Sequence, residues 1–318
     1  MDLYKIEANG LEPVQSDQFK LEREIQSLVE SNMESLFELK MITSEFSVGD
    51  FRLDSLCFDE ETNSFVIVEY KRGSSYSVID QGYSYLSVML NNKAEFILEY
   101  NEKFDTPLKR SEVDWSSSRV VFVSPSFNTY QRNSVNFKDV PFELWEIKRF
   151  DGGLVMLEEI RSSSDESVEN VTGPNKTGVI SDVSKEVITY REEDHVSKSN
   201  LHIANIWSEI RSIFEDLASV HIFSTKYYVG MKRDSKVFAY IEFKKTHLFV
   251  DFNRGNYKTD GSRSRNFFDL EDPKEMAVEK SWTYKSGVIG SSYRIKVQNT
   301  SEIKYVVDLI NQKYESLG

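Results

Sequence analysis

From Leu39 to Lys71 short apolar runs alternate with polar turns, a pattern of strands rather than helices. Leu39 to Phe46 reads as one strand and Ser47 to Asp50 as a turn. Two β-type runs flanking Asp59 to Ser64 then predict a hairpin. Upstream, Phe19, Leu21, Ile25, Leu28, Val29, Met33, Leu36 and Phe37 recur at helical spacing, which predicts one amphipathic helix capped near Asp17, after a short edge strand at Leu3 to Ile6. Downstream, the polar Gly73 to Ser77 segment leads into a helix from about Val78, divided at Asn91 and Asn92 and resumed over Ala94 to Tyr100. Arg119 to Val123 is a β-branched run, Ser126 to Asn136 a short helix, and Phe142 to Arg149 with Leu154 to Ile160 a hairpin around Asp151-Gly152-Gly153.

Residues 161–198 are polar with few large apolar side chains and read as a linker. A second domain follows over 199–318, with a helix from about Asn200 and strands at Tyr227 to Met231, Val237 to Phe243 and Leu248 to Asn253. Two more β-like segments, Lys280 to Tyr284 and Tyr293 to Val297, precede a closing helix from Ser301 to Tyr314. The fold class is therefore α/β in the α+β sense: a mixed sheet flanked by helices over 1–160, then a smaller α+β domain.

Chemistry concentrates in the first hairpin. Side chains alternate along a strand, so Ile67, Glu69 and Lys71 share one face while Val66, Val68 and Tyr70 take the other. If Phe58 pairs with Phe65 across the turn, Asp54 falls opposite Glu69. Two carboxylates opposed across a ladder sit roughly 5 Å apart at Cβ, an arrangement that needs a proton or a cation to relieve repulsion. Mg²⁺, held by one or two carboxylates and waters, is the natural cation. Lys71 beside it would steady developing phosphate charge or a poised water. A lone Glu-x-Lys on a strand is ordinarily a solvated face, but Phe65 to Tyr70 is almost continuously apolar, as in a strand buried on both sides. Asp50 also precedes the hairpin, but it falls in the turn. Gln81 and Tyr85 lie on one face of the following helix.

A helical Glu, Gly then Asp54, about fifteen residues, Glu69-x-Lys71, then a helix bearing Gln81-x-x-x-Tyr85 together resemble the PD-(D/E)XK nuclease superfamily, the restriction-endonuclease-like fold, and within it the NucS-like branch. The matching hairpin residues are Asp54, Leu56, Ile67, Glu69, Lys71 and Arg72, and the resemblance spans roughly residues 20 to 150. Leu53 stands where the family name has Pro, a position that varies widely. The resemblance implies a Mg²⁺- or Mn²⁺-dependent nuclease with Asp54, Glu69 and the backbone carbonyl of Tyr70 on the metal and Lys71 at the attacking water. It also implies a helical carboxylate directed at the metal, Glu22 by best match and Glu24 second, and Gln81 facing the site. Double-strand cutting needs two sites, which makes a homodimer the natural assembly, though no interface signature is visible. The second half resembles a small domain of unknown function found behind such nuclease-like domains in proteins labelled "predicted transport protein".

Composition adjusts this picture only modestly. The 318 residues are 39% hydrophobic and 29% charged, as in an ordinary soluble globular protein, with a high aromatic share of 13%. A net charge of −13 argues against an all-over electrostatic grip on nucleic acid but allows a local basic rim. Without a signal-like start or a long apolar run, a cytoplasmic location is expected and a membrane partner is not. The single cysteine, Cys57, lies in an apolar strand and reads as a buried, inert thiol. Candidate nucleic-acid contacts are Arg72 and, in the second half, Lys244, Lys245, Arg254 and Lys258, with Arg263 and Arg265 in the same loop near Tyr257, Phe267 and Phe268. His195, His202, His221 and His247 show no metal-ligand spacing, and Gly173 to Gly178 has the wrong order for a phosphate loop. The competing expectation is a catalytically silent module that keeps the fold for binding nucleic acid or protein.

Overall fold

A computed structural model describes residues 3–7, 10–73, 78–105, 107–135, 140–160, 179–217, 219–233, 236–264, 267–283 and 287–317. The loop ahead of the Val78 helix, the Gly173 to Gly178 segment and Arg265 lie outside them. The chain divides into two compact units, Met1–Thr189 and Tyr190–Gly318.

The first unit opens with a separate hairpin of β1 (Leu3–Glu7) and β2 (Gly10–Val14), then β3 (Ser16–Asp17), α1 (Glu22–Glu30) and α2 (Met33–Phe37). Next come β4 (Lys40–Val48), β5 (Phe51–Asp59), β6 (Ser64–Tyr70), α3 (Val78–Asn91) and α4 (Lys93–Phe104). The unit closes with β7 (Arg119–Ser124), α5 (Thr129–Ser134), β8 (Phe142–Phe150), β9 (Leu154–Ile160) and α6 (Val179–Glu186). Its seven-stranded sheet runs β3-β8-β7-β6-β5-β4, with β9 also on β8. The β4, β5 and β6 strands are antiparallel neighbours, whereas β6, β7 and β8 run parallel.

All seven residues of β6 are buried, because both faces of the strand are covered. Phe65 and Ile67 pack in one core with Leu86, Met89 and Phe96 of α3 and α4. Val66, Val68 and Tyr70 pack in the other with Ile25 and Val29 of α1. Phe58 does pair with Phe65, and Ser55 with Val68 at the last paired position.

Two expectations need correction here. The first helix is not continuous and does not start at Asp17, which instead belongs to β3 and forms an ion pair with Arg149 at 2.7 Å. It breaks at Asn32, whose φ of −130° is not helical and whose side-chain amide donates to the Leu28 carbonyl at 2.8 Å. The polar stretch 161–198 is not all linker either: α6 lies within it, with Val183 and Val187 buried in the core that α3 and α4 share. Amphipathic spacing inside a polar composition conceals such a helix.

The second unit contains α7 (Glu192–Val196), α8 (Leu201–Glu215), β10 (Val220–Ser224), β11 (Val229–Arg233), β12 (Lys236–Lys244), β13 (His247–Tyr257), β14 (Ala277–Thr283), β15 (Ile289–Val297) and α9 (Ile303–Glu315). Its antiparallel sheet runs β10-β11-β12-β13-β15-β14. Trp207, Ile210 and Phe214 of α8 and Val306 and Ile310 of α9 bury one sheet face through Ile241, Val250, Phe252 and Ile295. Among the described residues no helix is long and apolar enough to cross a membrane.

Candidate functional site

The hairpin β5–β6 delivers its two carboxylates just beyond the last paired residues. Asp54 is half-buried and its Oδ2 accepts the Tyr70 backbone N–H at 3.0 Å, which locks it beside the end of β6. Glu69 is 4% exposed. Its Oε1 accepts from Lys71 Nζ at 2.7 Å and from Gln81 Nε2 at 2.6 Å. Gln81 Nε2 also donates to the Tyr85 hydroxyl at 2.6 Å, so the α3 pair four residues apart holds Glu69 from the helix side. Glu69 Oε2, by contrast, is buried without a hydrogen-bond partner among the described residues. A buried, unsatisfied carboxylate oxygen is costly unless something else supplies positive charge.

Burial first, and then the neighbouring Glu69 carboxylate, push the Asp54 carboxyl up to about 7, against the pull of the Tyr70 N–H and Lys71. The structure thus brings Asp54, Glu69, Lys71 and Gln81 together. Two half-compensated carboxylates and neighbouring peptide oxygens form a hard-oxygen donor set, the kind that suits Mg²⁺ or Mn²⁺.

Glu22, the expected helical carboxylate, stands beside the chain just after β6. It is exposed, and its Oε2 accepts the Arg72 backbone N–H at 2.9 Å, close enough to add a small upward push on Asp54. Among the described residues no three His, Cys, Asp or Glu side chains converge as a metal-holding group, and Glu22 meets the site through its bond to the chain after β6. Glu24, the second match, instead accepts the Lys20 N–H at 3.2 Å. Asp50 sits in the exposed turn before β5.

A polar network behind the hairpin was not singled out in the sequence. Ser55 Oγ donates to Glu30 Oε1 at 2.6 Å and lies 2.9 Å from the Tyr70 hydroxyl. Gln26 Nε2 donates to Glu30 Oε1 at 3.0 Å and to the Asp54 carbonyl at 3.4 Å. This network fastens the backbone of both strands on the face opposite Glu69. Its only sequence signal was Ser55, a polar residue at an inward strand position. Cys57 is fully buried, and burial pushes its thiol far up, as expected of an inert cysteine.

Several candidate basic residues of the second unit are already in ion pairs. Arg254 is not on a basic surface: it is 4% exposed, pairs with Asp269 at 2.8 Å and Glu279 at 2.7 Å, and lies against the Phe267 and Tyr293 rings. An interior guanidinium already matched by two carboxylates holds the fold and offers no phosphate contact. Arg263 pairs with Asp269 at 2.6 Å, and Lys244 with Glu242 at 2.5 Å. Lys245, Lys258 and Arg72 are exposed.

No family model matches the chain. It is similar to a solved repair endonuclease of Pyrococcus abyssi, at 18% identity and a TM-score of 0.23, over 38% of this chain and 45% of that one. The structure of an EndoMS–dsDNA complex is similar at 19% identity and a TM-score of 0.28, over 43% of this chain and 54% of that one. Pyrococcus furiosus SfsA, solved with Ca²⁺, gives 10% identity and a TM-score of 0.25, over 49% of this chain and 79% of that one. In sequence, a match at 37% identity runs over 314 residues, 98% of this chain and 99% of its relative, and the chain therefore belongs to one family with an uncharacterized protein of Haemophilus influenzae.

Proposed function

We propose that this chain is a divalent-metal-dependent nuclease that hydrolyses phosphodiester bonds of DNA. The observation that carries the reading is the Asp54–Glu69 pair at the end of the hairpin, with Glu69 Oε2 buried and unpartnered among the described residues while Oε1 takes the Lys71 and Gln81 donors. DNA as substrate follows the resemblance of the Asp54 to Lys71 pattern to its nuclease superfamily.

Asp54, Glu69 and the Tyr70 carbonyl would hold Mg²⁺ or Mn²⁺. The bound ion would polarise the scissile phosphate and lower the pKa of an attacking water. Lys71 keeps its ammonium within 2.7 Å of Glu69, where it can orient that water and offset charge gathering on the phosphate. Gln81 fixes the Glu69 rotamer and is itself anchored on Tyr85. Glu22 positions the Arg72 backbone, and with it the chain that follows Lys71. The polar network through Ser55 keeps the two strands in register under the site.

The test is cleavage of plasmid, linear, single-stranded and branched DNA with Mg²⁺ or Mn²⁺, comparing wild type with Glu69→Ala and Lys71→Ala. Loss of at least about a hundredfold in rate is expected for either variant, the scale of removing one preorganised charge-stabilising group. A folded Lys71→Ala protein cutting at the wild-type rate contradicts the role given to Lys71. Metal binding without cleavage of any substrate favours the silent binding module.

A further inference from the structure

The second unit covers one face of its sheet with α8 and α9. The other face has a distinct composition, which follows from strand alternation and the observed register. Gly230 pairs with Tyr240, Tyr240 with Asp251, Asp251 with Arg294, and Val278 with Arg294, so these positions stand in one row across the sheet. Stepping by two along each strand adds Lys232, Glu242, Lys244, Phe249, Lys280, Trp282 and Lys296 to the same face. Five cations there face two carboxylates, on a chain whose net charge is −13. Such a local reversal of sign favours an anionic ligand.

A pocket of about 450 Å³ opens on this face, lined by Tyr228, Tyr240, Asn253, Lys280, Trp282 and Arg294 among others. The volume falls within the range of small-ligand sites and suits one nucleotide. Arg294 is clamped on Asp251 by two hydrogen bonds of 2.7 Å, a rigid charged floor. Tyr240 is held edge-on by Tyr228, with ring centroids 5.0 Å apart, and its hydroxyl accepts from Asn253 Nδ2 at 2.9 Å. At the rim, the Trp282 indole packs over Gly290, where a β-carbon would come within 2.4 Å of it, yet the residue is 41% exposed. The glycine lets the ring lie close to the backbone while part of it stays open to a ligand. Lys280 is two residues away on the same strand face and exposed.

We infer that this open sheet face binds single-stranded nucleic acid, with a base stacked at Trp282 and Tyr240 and its phosphate at Lys280. Aromatic platforms beside cations on a sheet face that carries none of the unit's described helices suit unpaired bases, because every base has a π-face and every linkage a charge. Paired bases inside a duplex keep their faces stacked on each other and cannot use the platform. The inference deepens the nuclease reading by giving the second unit a substrate-holding role, but the face and its binding do not depend on Asp54 or Glu69.

The test is fluorescence anisotropy of a labelled oligo-dT of about a dozen nucleotides, within the site sizes of known single-strand binders. The full chain is used, in chelator, so that no cleavage occurs. Saturable binding is expected for wild type. Trp282→Ala and Lys280→Glu should each weaken it about tenfold or more, with unchanged melting curves. If Trp282→Ala melts early, Lys280→Glu, an exposed change, decides. No wild-type binding, full binding by the deciding variants, or equal affinity for a blunt duplex each overturns the inference. Competition by dTMP as effective as by the strand would overturn the single-strand assignment in favour of a free nucleotide. Cleavage, measured separately with metal, tests the Asp54–Glu69 site, whereas binding in chelator tests this face, so the failure of one reading is distinguishable from the failure of the other.

Discussion

At the residue scale, Asp54 departs from the behaviour of an ordinary aspartate. Burial and Glu69 raise its carboxyl to about 7, so between the usual Asp range near 4 and pH 7 the native state holds a proton that the unfolded chain has released. Metal-free protein should therefore lose stability as pH rises through that window, with the penalty complete above pH 7. Thermal melts in chelator at pH 5 and pH 8 check this: the drop should be clear in wild type and much smaller in Asp54→Asn. Added Mn²⁺ should reverse the trend, stabilising more at pH 8 than at pH 5, because protons then no longer compete for the carboxylate. Glu69 and Lys71 were legible as neighbours because strand alternation fixes which side chains share a face, Asp54 followed from the hairpin register, and Gln81 joined them only through the family resemblance. Arg254 was misread because charge in a loop says nothing about burial. Its two carboxylate partners, Asp269 and Glu279, lie at sequence distances that no local pattern reveals.

At the element scale, α3 serves the site through a close approach. Gly82, next to Gln81, faces Phe142 of β8, and a β-carbon there would sit 2.5 Å from the ring. Gly82→Ala should cost about 1–3 kcal/mol through overpacking, despite the better helix propensity of Ala. Urea denaturation measures it, and an unchanged or raised midpoint would show that Phe142 yields freely. Most strands and helices were predictable within a few residues, since the middles of β6 and β7 are apolar runs and α3 breaks at the expected asparagine pair. Others were not, among them β2, α6 and α7. The break at Asn32 depends on one side-chain amide competing for a backbone carbonyl, and β10 is five residues with no strong alternation.

At the scale of the whole molecule, the boundary between the units lies later than composition suggests. Val183 and Val187 of the stretch read as linker are 1% and 5% exposed in the first core. A chain ending at residue 160 should thus melt well below one ending at 189, by an amount consistent with roughly 1.5–3 kcal/mol for each buried valine. Equal melting of the two would return the segment to linker status. Composition could not anticipate this, because a short amphipathic helix needs only a few apolar residues and the remainder of α6 is polar.

The most direct measurement is a calorimetric titration of Mn²⁺ into metal-free wild type and into Asp54→Ala, each shown to be folded. The account predicts saturable binding to wild type that is lost or reduced more than about tenfold in the variant, since removing one of two carboxylates removes half the acidic donor set. Equal binding by both proteins, or none by wild type, would contradict a metal centre at Asp54 and Glu69.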